Sequence, residues 1–141
     1  MARSNNTRAT RRGSAAGQAH ADMAEALRGI GVTDLNGLCL EASCLLCAAL
    51  RSRGEGAKLV RRWSGERGGH WSVETKDGEL DPTIAYWDDA PPDAVKGQLY
   101  RVVEDSPHMQ WERDSDVNEA VAMAVAEGEF GGDLLDLLGK A

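Results

Sequence analysis

The sequence predicts an α+β fold: a central cysteine-bearing helix packed on a small antiparallel sheet, with flanking N- and C-terminal helices. Three observations carry that expectation. Between residues 36 and 53, apolar side chains surround nearly the whole of a helical stretch, the pattern of a helix buried in mid-domain. From residue 57 to residue 104, short strand-like runs alternate with Gly-Gly and Asp-Gly breaks. Helical periodicity returns on either side of this block.

The elements follow in order. Ala19, Met23, Ala26, Leu27 and Ile30 recur at helical spacing, predicting an amphipathic helix over 18–29 that Gly29 and Gly31 end. Asn36, a favourable N-cap type, opens the predicted central helix, which runs to Arg53 and stops at Gly54. Strands are expected at Ala57–Trp63, His70–Thr75, Glu79–Thr83 and Leu99–Glu104, with Asp77-Gly78 as a hairpin turn. Asp88 to Asp93, containing Pro91-Pro92, reads as a loop. Ser115 is expected to cap a helix carrying Val117, Val121, Ala124 and Val125, which Gly128, Gly131 and Gly132 break. Leu134, Leu135, Leu137 and Leu138 then form a short amphipathic end. The predicted organisation is a disordered basic leader over 1–17, a core over 18–113, and a helical extension of the same domain over 114–141.

Charge and composition narrow the function classes. The 141 residues carry a net charge of −7, yet residues 1–17 hold Arg3, Arg8, Arg11 and Arg12 and no acid, leaving −11 for the remainder. An acidic body repels phosphate backbones, so no dedicated nucleic-acid site is expected. The basic leader could still contact an acidic partner. No apolar run approaches the ~20 residues needed to cross a bilayer, and the N-terminus lacks a secretory h-region. The expected location is therefore cytoplasmic, a reducing compartment in which three clustered cysteines need no disulfide.

Those cysteines, Cys39, Cys44 and Cys47, have a C-x4-C-x2-C spacing that occurs in iron–sulfur proteins. There is no fourth cysteine, and the segment is rich in Leu and Ala rather than loop-forming. At ~100° per residue Cys39 and Cys44 point about 140° apart on a helix, so the three thiolates cannot converge on zinc. No metal and no cofactor is expected. Cys44 and Cys47 read as small core residues. Cys39 falls in the first turn of its helix, where free N–H groups and the dipole favour a thiolate and could stabilise an oxyanion. A third core cysteine is the competing interpretation.

His70 follows Gly68-Gly69 at the start of an apolar strand, and Asp81 lies across the hairpin on the adjoining strand, followed by Pro82. Cross-strand neighbours are within side-chain reach. Nucleophile, base and orienting carboxylate are the three parts that thiol catalysis requires. Asn36 is a candidate oxyanion donor, with helix capping as its alternative role. Trp71 is a candidate cleft wall, with core packing as its alternative. Glu41 reads as the solvent edge of its helix. His108 is a less suitable base because no carboxylate-turn pairing accompanies it, and His20 is expected to be exposed on the leading helix.

Four blocks resemble the transglutaminase-like, papain-related cysteine hydrolases: Gly37-Leu38-Cys39, Ala49-Leu50-Arg51-Ser52-Arg53-Gly54, His70-Trp71 and Asp81-Pro82-Thr83. Together they span roughly residues 36–83. The resemblance implies Cys39 as nucleophile, His70 as base and Asp81 as the group holding the imidazole, with a peptide or protein amide as substrate. The sequence departs from the pattern in having Leu40 after the cysteine and no residue between His70 and Trp71. The blocks also resemble small bacterial and phage proteins, for which virion association and a catalytically inactive binding or assembly role are the alternative expectation.

Overall fold

A computed structural model describes residues 14–139. Ala15–Gly29 forms α1 and Cys39–Ser52 forms α2. Five strands follow, β1 Ala57–Ser64, β2 Gly68–Thr75, β3 Gly78–Asp81, β4 Tyr100–Arg101 and β5 Glu112–Arg113. The chain ends in α3 Glu119–Phe130 and α4 Leu134–Gly139. The strands make one antiparallel sheet in the order β4-β3-β2-β1-β5. The α+β expectation, with the cysteine-bearing helix on a small antiparallel sheet and helices at both ends, is met.

Boundaries differ from the sequence expectation for local reasons. Ser14 caps α1 by accepting the Gly17 N–H at 2.9 Å, so the helix starts three residues before the predicted 18. The predicted disordered leader over 1–17 therefore overlaps helix at 15–17, while its four arginines lie outside the described residues. Asn36 does not cap α2. Its own N–H bonds to Asp34 Oδ1 at 3.0 Å, and Gly37 turns the chain in a left-handed conformation (φ 80°). The helix then begins at Cys39 itself, with Leu38 at the cap position and no side-chain cap.

The β2–β3 turn is Lys76-Asp77 rather than Asp77-Gly78, because Thr75 pairs with Gly78. Gly78 re-enters the ladder with φ 120°, a conformation that favours glycine. β3 ends at Asp81 instead of Thr83. There the Asp81 Oδ1 accepts the N–H groups of Thr83 and Ile84 at 2.9 and 3.1 Å, winding the chain into a short 3-10 turn over Ile84–Tyr86. β4 is shorter than the predicted Leu99–Glu104, since the Val103 N–H leaves the sheet for Ser106 Oγ. β5, which was not anticipated, pairs with the far edge of β1. The cap of α3 is Asn118, accepting from Val121 N–H at 3.2 Å, in place of the expected Ser115.

Strand alternation divides the sheet into two chemically different faces. Leu59, Val73 and Leu80 point to the helices and join Met23, Leu27, Leu45, Leu46 and Leu50 in the main core. Each fully buried leucine there contributes roughly 1.5–3 kcal/mol. Ala122 and Ala126 of α3 also enter this core. The opposite face carries Arg62, His70, Ser72, Glu79 and Asp81, all buried. A smaller apolar cluster of Ile84, Tyr100 and Val102 adjoins them. Polar residues in a sheet interior must satisfy one another, and this set becomes the candidate site.

Candidate active site

The three sequence-predicted groups are brought together. β2 presents His70 and β3 presents Asp81 on the same face, and the imidazole Nε2 lies 2.6 Å from Asp81 Oδ2. Cys39, at the start of α2, lines the same cleft as His70, and its thiol is near enough to add to the rise in the imidazole pKa. With Nε2 engaged by the carboxylate, Nδ1 is the ring nitrogen left for the thiol. Asp81 is held in turn, since its second oxygen is fixed by the Thr83 and Ile84 N–H groups. The carboxylate therefore has two tasks, shaping the chain after β3 and orienting the imidazole.

Electrostatics follow from this geometry. Burial pushes the His70 imidazole down, but the Asp81 charge and hydrogen bond, joined by Cys39, raise it to about 10. Burial likewise opposes ionisation of Asp81, yet His70, His108 and the Thr83 N–H hold the carboxyl below its usual range. A charged imidazole beside an ionised carboxylate is thus the favoured state. The other two thiols are of a different kind. Burial raises Cys44 to about 12 and Cys47 to about 11, as befits core cysteines. Cys39, in contrast, is only partly buried and opens onto a cleft.

That cleft has a volume of about 400 Å³. Cys39, Gly69, His70 and Thr83 lie along it, with Asn36 and Gly37 on the side of the α2 entry turn. Trp87 and Trp111 stack on each other with ring centroids 5.7 Å apart and line the cleft beside His70. Trp87 meets His70 edge-on at 4.8 Å. Arg67 lies over the Trp87 ring at 4.6 Å and pairs with Asp89 at the rim, next to Asp88.

Two sequence candidates fare differently here. Asn36 borders the cleft, although its helix-capping alternative is excluded by the start of α2 at Cys39. Trp71 does not line the cleft. It follows His70 in an alternating strand, so it faces the opposite side, packed against the main core and near Arg61. The cleft tryptophans are instead Trp87 and Trp111, which the sequence analysis did not single out. Both lie in irregular chain, where no periodicity reveals which way a side chain faces.

Beneath the triad is a polar layer that was also missed. Arg62 forks onto Glu79 with contacts of 2.7 and 3.2 Å, and Ser72 donates to the same carboxylate at 2.7 Å. Burial opposes ionisation of Glu79, but Arg62 and Ser72 keep its carboxyl below the usual range. His108, set aside in sequence as a poor base, is fully buried with its Nε2 3.5 Å from Asp81 Oδ2 and 3.9 Å from Glu79 Oε2. Its place behind Asp81 depends on the 3-10 turn over Pro107–Gln110, a feature with no sequence periodicity. His20 is also corrected. It is buried on α1, where desolvation lowers its pKa to about 4.

Comparison with known protein families, with curated proteins and with solved structures yields no match. Among the described residues, no helix is long and apolar enough to cross a membrane.

Proposed function

We propose that this protein is a cysteine-dependent amide or peptide hydrolase working through a thioester acyl-enzyme. The observation that carries this reading is the hydrogen-bonded His70–Asp81 pair sharing an open cleft with the partly exposed Cys39. The thiol proton rests on His70 Nδ1 as the imidazolium, and the Cys39 thiolate sulfur attacks the acyl carbonyl. The tetrahedral oxyanion meets free backbone N–H groups in the first turn of α2. The imidazolium returns its proton to the leaving amine as the C–N bond breaks, leaving a thioester. Water, deprotonated by the same Nδ1, then releases the acid and the free thiol. Asp81 stays ionised throughout and holds the ring.

Trapping the intermediate tests this reading. With an activated acyl ester such as p-nitrophenyl acetate, the wild-type protein is expected to gain one acetyl group on Cys39, located by peptide mass spectrometry. Cys39→Ala should gain none, and Asp81→Asn should acylate at least about 10-fold more slowly. Acetylation spread over lysines, or unchanged in Asp81→Asn, would contradict the mechanism. The rival reading, a catalytically inactive binding or assembly protein, draws on exposed Val121 and Val125 on α3 and Leu135 on α4. It predicts three uniformly unreactive cysteines.

A further inference from the structure

His108 is the residue that the proposed hydrolase mechanism leaves unexplained. It is completely buried, and neither ring nitrogen has a hydrogen-bond partner. Buried polar atoms are almost always satisfied, so an orphaned imidazole needs a cause. Its Nε2 lies 3.5 Å from the carboxylate oxygen that also receives His70, and the three donor atoms lie within 4.8 Å of one another. We propose that His70 Nε2, Asp81 Oδ2 and His108 Nε2 form a binding site for a divalent transition-metal ion of the zinc class.

Donor chemistry agrees with this assignment, and the spacing reaches it with side-chain adjustment. Two imidazoles and one carboxylate suit zinc and its neighbours rather than calcium or magnesium, which prefer all-oxygen shells. Zinc–nitrogen and zinc–oxygen bonds of about 2.1 Å in a tetrahedral arrangement place neighbouring donors about 3.4 Å apart. The His108–Asp81 separation of 3.5 Å already has that value. The His70–Asp81 contact of 2.6 Å must open by under about 1 Å as its proton leaves, and the widest pair, within 4.8 Å, must close by up to about 1.4 Å. Cys39 is not among the grouped donors, so no sulfur enters this ligand set.

Occupancy has a consequence that rests on the proposed hydrolase reading. A neutral imidazole bound to metal through Nε2 carries its hydrogen on Nδ1. Nδ1 then has no lone pair with which to deprotonate water, so the thioester persists. The ion acts as a lock on a site that works without it.

Zinc titration of the full chain against a chromophoric chelator tests the site directly. One equivalent should bind to the wild type and to Cys39→Ser alike, and His108→Gln should weaken binding by about 100-fold or more. Zinc X-ray absorption on the wild type gives a readout independent of whether the variant folds. A shell of nitrogen and oxygen with imidazole scattering supports the site, whereas sulfur at about 2.3 Å overturns it by placing the ion on cysteines. Equal binding by folded His108→Gln also overturns it. In the acetylation assay, zinc should slow loss of acetyl from Cys39 in the wild type and not in His108→Gln. If zinc binds as described and no acetyl-enzyme forms without it, the hydrolase reading fails while the metal site stands.

Discussion

The proposed chemistry depends on how single side chains divide their contacts. Asp81 uses one oxygen for the backbone and the other for His70, so its substitutions should separate the two effects. Asp81→Asn keeps a carbonyl oxygen for the Thr83 and Ile84 N–H groups and should remain folded, while losing the charge that sustains the imidazolium. Asp81→Ala removes both contacts and should lower the melting temperature as well. A thermal melt beside the acetylation rate distinguishes them. Deeper in the same face, Glu79→Ala leaves the Arg62 charge buried without its partner, and a loss of about 3 kcal/mol is expected in urea unfolding. None of this layer was legible in sequence beyond the His70–Asp81 pairing. Arg62, Ser72 and Glu79 occur in strands where charged and polar types ordinarily mark the solvent face, and here the second face is covered instead.

At the scale of the element, α2 is the part most fully read from sequence. Its apolar residues on most sides predicted burial, and Ala42, Cys44, Leu45, Leu46 and Cys47 are all completely buried. Its starting point was not read, because Asn36 is a good cap type and nothing local reveals that Asp34 and Gly37 turn the chain first. The observed start matters chemically, since it places Cys39 at the first helical residue and not in mid-turn. Gly37→Ala forces a side chain into a left-handed backbone with open space around it, so the cost should be strain alone, about 1 kcal/mol. The same change should slow Cys39 chemistry more than the stability loss explains, which parallel unfolding and acetylation measurements would reveal. In the C-terminal part, Asn118→Ala removes the α3 cap and should cost about 1 kcal/mol, measurable by chemical denaturation.

At the scale of the whole molecule, pH should act through buried histidines as well as through the site. His20 is held at about pKa 4 in the folded chain, against an ordinary 6.5 when unfolded. Between those values the unfolded state binds the extra proton, so stability should fall as pH drops from 6.5 towards 4. The lost stability from His20 is on the order of 3 kcal/mol. His20→Leu should flatten that acid limb in urea unfolding measured across the range, although His108, also lowered by burial, leaves part of the slope. His20 was misread as exposed because α1 alone does not reveal which residues other helices cover. The α+β class and the order of the main elements were legible because they rest on periodicity, whereas the cleft walls were not because they rest on irregular chain. The central claim, that His70 activates Cys39, is tested most directly by site-resolved alkylation of the three cysteines across pH in wild type and His70→Ala. The account predicts that Cys39 alone reacts quickly at mildly acidic pH, where ordinary thiols of pKa about 8.5 are slow, and that His70→Ala abolishes this advantage. A Cys39 no faster than Cys44 and Cys47, or indifferent to His70, would contradict it.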